Sequence, residues 1–212
     1  MKRPRSAPRQ PPAVGLVVEG ETEYHALPQL HTKRLVAGCP PLKPTNLAGV
    51  GSHLTPQGIA RRVVGSVRAH FAAGRQVVVC IDREQRTECA GELALAVRAQ
   101  IVALLRAAPA DRDLHVVVAN RAFESWLLAG ADRLYEKGAL KKRFKVHRFE
   151  GDHGKRGRKG VEELSDLLGR PYDKLRDGPR LFAQLDFETA RDFEGGGRGS
   201  RSLDKLLRVL GV

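Results

Sequence analysis

Short apolar runs alternate with longer amphipathic segments along this chain, and the two kinds of segment predict different elements. Continuous apolar, β-branched runs are typical of strands buried on both faces of a parallel sheet, and apolar residues at helical spacing predict helices packed on it. Regular alternation of the two favours an α/β fold with a parallel sheet of about four strands flanked by helices. The predicted strands are 13–18, 42–47, 76–81 and 114–118, and the predicted helices are 22–36, 56–71, 88–107, 122–128, 161–168, 179–185, 187–193 and 203–210.

Prolines refine three of these elements. Pro44 restricts the second strand to the edge of the sheet or turns it into a loop, because proline has no N–H for the ladder. Thr55 followed by Pro56 is a favourable helix start, with the threonine as cap. Pro28 delays or kinks the helix at 22–36.

Length and composition favour one soluble domain with an appendage. The chain has 212 residues, and no apolar run approaches the roughly 18 residues of a membrane span. We expect a basic arm at 1–12, an α/β core at 13–136, and a basic flap with a C-terminal helical subdomain at 137–212. No apolar stretch of signal-peptide length follows the basic start, and the three cysteines form no CxxC pair, which predicts a reduced, cytoplasmic protein.

The net charge of +13 is concentrated in two segments. The first twelve residues carry four basic residues and no acid, and 137–160 carries ten Lys or Arg against two acids. Concentrated basic segments beside a nearly neutral body favour a polyanionic partner such as nucleic acid, through phosphate neutralisation. The alternative is that both segments are solvated loops. The predicted nucleic-acid-binding residues are Lys155, Arg156, Arg158 and Lys159.

Acidic residues follow the ends of three predicted strands. Glu19 ends the first strand, Asp82 ends the strand 76–81 with Glu84 two residues on, and Glu124 follows the strand 114–118. Open α/β sheets bind ligands at the carboxyl ends of their strands, so these side chains should share one crevice. Carboxylates in one crevice repel one another unless a cation lies between them, which predicts a Mg²⁺ or Mn²⁺ site. Glu23, one turn into the first helix, is a second candidate.

Each acid also has a purely structural interpretation. Glu19 could favour the positive end of the first helix, Asp82 could cap a turn, and Glu84 could be surface charge. Glu124 could pair with Arg121 on the same helix. The coincidence of acids at three strand ends favours the metal site over four separate explanations.

The sequences Val17-Val18-Glu19-Gly20 and Ile81-Asp82-Arg83-Glu84 resemble the Toprim (topoisomerase–primase) fold, whose signature is a glutamate after the first strand and an acidic pair after a later one. The chain is most similar to small bacterial Toprim-like proteins related to the OLD-like nucleases and often encoded beside an AAA-type or ABC-type ATPase. Further segments that look like that family are 123–128, 176–179 and 201–206.

The resemblance implies that Asp82 and Glu84 hold magnesium, that Glu19 acts as acid–base group or ligand, and that Glu124 is a further ligand. Glu84 departs from the commoner Asp at its position. OLD-like nucleases also have a catalytic lysine, for which Lys155, Lys159 and Lys174 are candidates. An ATPase is the implied partner.

These observations give three functional hypotheses. The first is a Mg²⁺-dependent nuclease that hydrolyses DNA or RNA as a subunit of an ATPase-linked anti-phage system. The second is a non-catalytic module that binds nucleic acid or regulates an ATPase. The third is a ribonuclease of RNA maturation.

Overall fold

The computed structural model describes residues 12–47, 53–105, 113–144, 159–192 and 199–212 of the chain. Its centre is a four-stranded sheet in which every neighbouring pair of strands is parallel. The strands are β1 (Val14–Val18), β2 (Leu42–Asn46), β3 (Val77–Asp82) and β4 (Leu114–Ala119), in the spatial order β2-β1-β3-β4. The predicted α/β fold with a parallel sheet flanked by helices is confirmed.

Helices connect and cover the strands, and their bounds follow the predicted ones closely where the sequence has clear end signals. Thr55, for example, accepts a hydrogen bond from the N–H of Gly58 through its hydroxyl and starts the third helix, as predicted. The helices are α1 (Glu21–Ala26), α2 (Gln29–Thr32), α3 (Pro56–Ala72), α4 (Ala90–Leu105), α5 (Glu124–Ala129), α6 (Ala131–Glu136), α7 (Gly160–Leu168), α8 (Lys174–Phe182), α9 (Phe187–Arg191) and α10 (Arg201–Val209).

Prolines explain two differences from the predicted elements. The single helix expected over 22–36 is two short helices that meet at Pro28, which lies at the start of α2. Pro179 lies inside α8, which begins five residues earlier than the sequence predicted. β2 keeps Pro44 and lies at the edge of the sheet, where a missing N–H costs least.

The sheet is apolar on both faces and divides the core into two clusters. Side chains alternate between the faces, so Val17 and Val79 belong to one cluster while Leu16 and Val78 belong to the other. The cluster of Val17 is covered by α3 and α4. The opposite cluster is larger and takes in α1, α2 and the helices α5 to α10.

The C-terminal helices share this larger cluster with the strands. Leu164 of α7, Phe182 of α8 and Leu203 of α10 are fully buried in the same cluster as Leu16 of β1. Trp126 of α5 donates its indole N–H to Ser202 at 2.8 Å, which links α5 to α10. Among the described helices of 159–212, α10 packs against β4, while α7, α8 and α9 join the same core through α1 and α5. No described helix has the length and apolar character needed to cross a membrane.

Candidate functional site

The strand order places one crevice between β1 and β3. The chain goes from β1 to β2 on one side and then crosses to β3 on the other, so the order reverses between β1 and β3. Open α/β sheets bind ligands at such switch points, outside the carboxyl ends of the strands. Glu19 follows β1 directly and Asp82 is the last residue of β3, so both lie at this point.

Glu19 bridges the two strands through its side chain. Its Oε2 atom accepts a hydrogen bond from the backbone N–H of Asp82 at 3.0 Å. Burial raises the pKa of Glu19 to about 7, the hydrogen bond from Asp82 opposes that shift, and the negative charges of Glu84 and Glu23 add to it. Arg86 lowers the pKa of Glu19 by its positive charge. Glu19 is therefore close to half-protonated at neutral pH.

Glu23 reaches the same edge of the sheet from α1. It is 6% exposed, and burial raises its pKa to about 7, with a further increase from the charge of Glu124 and a decrease from that of Lys174. Gly20 leaves room for this side chain, since a Cβ atom at position 20 would lie 2.5 Å from Oε2 of Glu23. A glycine after Glu19 therefore allows a second carboxylate to fold back beside the first.

Asp82 is the acid most strongly influenced by the others. Burial raises its pKa well above the ordinary value, and the charges of Glu23, Glu124 and Glu19 raise it further. Lys174 is the cation that opposes this shift. The three strand ends and the start of α1 thus bring their carboxylates into one electrostatic group, which we call the carboxylate site: Glu19, Glu23, Asp82, Glu84 and Glu124.

Glu84 belongs to this group through a turn. Two residues after an acid at a strand end, Glu84 would face the same side as Asp82 if the strand continued. β3 instead ends at Asp82, and Glu84 adopts a left-handed conformation with φ of 51°. Its N–H donates to the carbonyl of Arg121, itself left-handed with φ of 71°, at 2.6 Å. Non-glycine residues adopt this conformation at a cost, and the hydrogen bond between these two residues holds the loops after β3 and β4 against each other.

Glu124 and Lys174 form an ion pair at the site. Glu124 is the first residue of α5 and is 3% exposed, and its Oε1 lies 3.4 Å from Nζ of Lys174. Burial lowers the pKa of Lys174, but Glu124, Asp82 and Glu23 outweigh burial and raise it overall. Glu124 therefore faces Lys174, fifty residues later in the sequence, and Lys174 stays charged beside the acids. Lys174, one of the candidate lysines, is therefore at the carboxylate site.

Close packing between α1 and α8 brings Lys174 to this position. Thr22 donates from its hydroxyl to the carbonyl of Lys174 at 3.5 Å. Gly178, one turn further along α8, lies against Thr22, and a Cβ atom there would overlap the Thr22 methyl group and approach the Tyr172 hydroxyl to 2.9 Å. The glycine is thus required for the close approach of α8 to α1.

A buried aspartate fixes α8 from within. Asp177 is fully buried and accepts two hydrogen bonds from Arg170, at 2.6 and 2.7 Å, and one from the N–H of Asp173 at 3.0 Å. Arg176 and Arg180 each approach the same carboxylate at 3.5 Å. Arg170 in particular holds the pKa of Asp177 far below its usual range, against the effect of burial. We call these four side chains the arginine cluster.

Tyr172 lies between the carboxylate site and the arginine cluster. Its hydroxyl is buried and has no hydrogen-bond partner among the described residues. Burial raises the pKa of Tyr172 strongly, and the charges of Glu124, Glu23 and Asp177 raise it further. Tyr172 is therefore a neutral phenol facing several carboxylates, with a proton to donate.

Arg86 is a further cation at the site, and it was not among the residues predicted from the sequence. It is 9% exposed and donates from Nη1 to the carbonyls of Asp82 at 2.8 Å and Arg83 at 3.3 Å. These bonds hold the loop after β3 in place. A basic residue within four positions of Asp82 was the only signal in the sequence, and it is too common to be informative.

The predicted nucleic-acid-binding residues are only partly described. Lys155, Arg156 and Arg158 lie outside the described residues. Lys159 directly precedes α7 and is exposed, and its N–H donates to Glu162 at 3.3 Å.

The donor set at the carboxylate site fits a magnesium ion by its chemistry. Within the described ranges, no group of three or more His, Cys, Asp or Glu side chains is already arranged to hold a metal ion. The carboxylates nevertheless supply hard oxygen ligands, and Glu19, Glu23 and Asp82 have raised pKa values because burial and mutual repulsion disfavour their charges. A divalent cation would relieve that repulsion. Glu19, Asp82, Glu84 and Glu124 are the residues that could hold it.

Comparisons with known proteins add no relative to this description. No family model, no curated protein and no solved structure matches this chain.

Proposed function

We propose that this protein is a Toprim-like, magnesium-dependent nuclease that hydrolyses phosphodiester bonds in DNA or RNA. The observation that carries the proposal is the meeting of Glu19, Glu23, Asp82 and Glu124 with Lys174 at the carboxyl edge of a parallel sheet. Several carboxylates and one lysine at a topological switch point suit metal-assisted chemistry on a phosphate. An arrangement kept only for stability would pair each of these acids with its own cation.

Asp82, Glu84 and Glu124 are proposed to hold the metal, with Glu19 as a further ligand or as the group that receives a proton. Bound magnesium would polarise the scissile phosphate and lower the pKa of the attacking water. In the metal-free protein the pKa of Glu19 is raised to about 7. A bound cation would lower this pKa and leave Glu19 as a carboxylate that can accept a proton. Its Oε2 is engaged by the Asp82 N–H, so Oε1 is the atom that would take the proton from water.

Lys174 is proposed to stabilise negative charge on the phosphate. Its ammonium group contacts Glu124, and its side chain is 57% exposed. A substrate in solvent can therefore reach it. The acids around it keep it protonated. A fixed positive charge beside the metal ligands is the arrangement that favours the transition state of phosphoryl transfer.

A cleavage assay on the full chain tests the proposal. Labelled single-stranded DNA, single-stranded RNA and supercoiled plasmid are incubated with Mg²⁺, Mn²⁺ or EDTA. We expect cleavage of at least one substrate that requires the metal, and loss of that cleavage in Asp82→Asn. Asp113→Asn is the matched control, because Asp113 precedes β4 and so lies at the amino ends of the strands, away from the carboxylate site. Cleavage by Asp82→Asn at the wild-type rate would contradict the assignment.

The non-catalytic hypothesis is distinguished by metal binding measured directly. Calorimetric titration with Mn²⁺ that shows binding in the wild type and none in Asp82→Asn, together with no cleavage alone or with a neighbouring ATPase, would favour a binding or regulatory module. An ATPase partner, an anti-phage role and a cytoplasmic location are parts of the proposal taken from the resemblance and from the three unpaired cysteines.

A further inference from the structure

We infer that the exposed face of α8 is the surface along which a nucleic-acid backbone reaches the carboxylate site. This inference rests on the proposed function, since it names the binding surface of that same site. Arg176 and Arg180 lie on the exposed side of α8, with side chains 65% and 48% exposed, and Lys174, 57% exposed, lies at the N-terminal end of the helix. The opposite side of the helix is buried against α1 and α5.

Asp177 organises this face. One buried carboxylate meets three guanidinium groups, so the cluster keeps a net positive charge even though every arginine has a partner. Arg170 takes both oxygens of Asp177 in a two-pronged contact. Arg176 and Arg180 contact the carboxylate by one nitrogen each, at 3.5 Å, and this leaves them further N–H groups for a ligand.

Fixed guanidinium groups suit phosphate better than mobile ones. Arginine presents a planar fork of donors that matches a phosphate group, and holding the fork in place lowers the entropy lost on binding. Arg176 and Arg180 are four residues apart on one helix, so they lie on the same side of it. The face is thus an ordered pair of phosphate-binding groups.

The arginines of α8 lie on the same helix as Lys174, which contacts the carboxylate site. Lys174 begins α8 and contacts Glu124, while Arg176 and Arg180 follow along the same helix. Five carboxylates repel a polyanion, so the substrate needs cationic surface beside them to approach. A chain of phosphates bound by Arg180 and Arg176 would continue past Lys174 toward Asp82.

The occupant to which we commit is the sugar–phosphate backbone of a nucleic acid. The exposed groups are charged donors, and donors of this kind contact phosphates without reading sequence. We therefore expect binding that varies little with base sequence and depends strongly on salt.

The experiment measures binding without cleavage. Fluorescence anisotropy of a labelled oligothymidylate is followed in EDTA over a range of NaCl concentrations. The variant is Arg176→Gln/Arg180→Gln. We expect roughly tenfold weaker binding and a salt slope lower by about 1.4, because each lost phosphate contact on a single strand removes about 0.7 from the slope.

A matched control removes the same charge elsewhere. Arg61 and Arg62 are exposed on α3, on the opposite side of the sheet, and Arg61→Gln/Arg62→Gln should bind with wild-type affinity and slope. The single variant Arg176→Gln should lose about half of the slope change, and Arg176→Lys/Arg180→Lys should retain the wild-type slope. If the double variant fails to fold, the affinity and salt slope of the single variant Arg176→Gln test the inference instead.

The outcomes separate this inference from the proposed function. Wild-type affinity and slope in Arg176→Gln/Arg180→Gln, an equal loss in the α3 control, or no binding by the wild type would each overturn the inference. Metal-dependent cleavage would still support the proposed function in the first two cases. Loss of binding in the α8 variants alone, with no cleavage by the wild type, would support the binding surface and contradict the nuclease.

Discussion

Asp82 and Asp177 are aspartates in opposite environments. Asp82 lies among Glu23, Glu124 and Glu19 with Lys174 as a nearby cation, and burial and these charges raise its pKa. Asp177 is fully buried among three arginines, and their hydrogen bonds and charges lower its pKa. One aspartate is therefore disfavoured as an anion by its surroundings, and the other is favoured.

The difference between the two aspartates distinguishes a candidate ligand site from a cluster that stabilises the fold. A carboxylate paired with arginines helps to hold a helix in place, and its interactions are complete without a ligand. Acids that raise one another's pKa weaken the fold unless something binds to them, which is why we propose the ligand at the carboxylate site. The two regions are joined by α8, which carries both Lys174 and Asp177.

The largest expected effect is on activity at the carboxylate site. Asp82→Asn should lower the rate of metal-dependent cleavage by at least about a hundredfold, since it removes a proposed metal ligand. The same variant should unfold at the same temperature as the wild type or a higher one in EDTA, because it removes repulsion. A clear loss of stability in EDTA would mean that Asp82, like Asp177, is structural.

Asp177→Asn should have the opposite effect on stability. The substitution removes the charge that holds Arg170, Arg176 and Arg180, and we expect the melting temperature to fall by roughly 5–10 °C. Differential scanning calorimetry at neutral pH measures this, with the exposed Asp166→Asn as control. An unchanged melting temperature would contradict the role given to the arginine cluster.

Magnesium should stabilise the wild type and leave Asp82→Asn nearly unaffected. A ligand that binds only the folded state raises its stability with the logarithm of the ligand concentration above the dissociation constant, by about 2.7 kcal/mol at a hundred times that constant. Thermal unfolding with and without millimolar Mg²⁺ measures the difference. Equal stabilisation of both proteins would place the metal elsewhere.

Stability should depend on pH through Glu19. Its pKa is about 7 in the folded protein against 4.5 for an ordinary glutamate, so the folded state binds more protons between these values and metal-free stability falls as pH rises from about 4.5 to 7. Glu19→Gln should lack the contribution of Glu19 to this dependence, while Glu23 and Asp82, whose pKa values are also raised, still contribute. Its melting temperature relative to wild type should therefore rise by a few degrees between pH 5 and pH 8 in EDTA. A constant difference would contradict the raised pKa.

The smallest effect is expected at Tyr172, between the two regions. Tyr172→Phe removes a buried hydroxyl with no hydrogen-bond partner among the described residues, so the free energy of unfolding should change by less than about 1 kcal/mol. Ser202→Ala is the comparison, because that hydroxyl accepts from Trp126 and its loss should cost about 1–2 kcal/mol. Urea unfolding measures both. A large loss in Tyr172→Phe would reveal a partner.

The sequence was sufficient to predict the sheet and the position of its acids. Strands and helices have different periodicities of apolar residues. The apolar runs before Glu19 and Asp82 each predict a strand, and the acid that follows each run predicts where the strand ends. Pro44 limited the second strand to the edge of the sheet or to a loop, and β2 is an edge strand. Signals of this kind are local, so one sequence contains them.

Two features of the site depend on contacts that the sequence does not encode locally. Glu84 leaves the extended conformation because its N–H bonds to the loop after β4. Lys174 reaches Glu124 because α8 packs against α1. From the sequence it was one of three candidate lysines. Nothing in the local pattern distinguishes such a lysine from a surface residue.

The sequence by itself determined that this chain forms a parallel α/β sheet with acids at its carboxyl edge, because burial periodicity and strand ends are written in neighbouring residues. Only the tertiary structure decided which charges meet. Asp82 faces Glu19, Glu23 and Glu124 because segments far apart in the chain pack side by side. Asp177, in contrast, meets arginines that lie within seven residues of it, and the packing of α8 decides that this local cluster is buried. Electrostatic environment is set by distances across the fold, and these exist only once the core has formed.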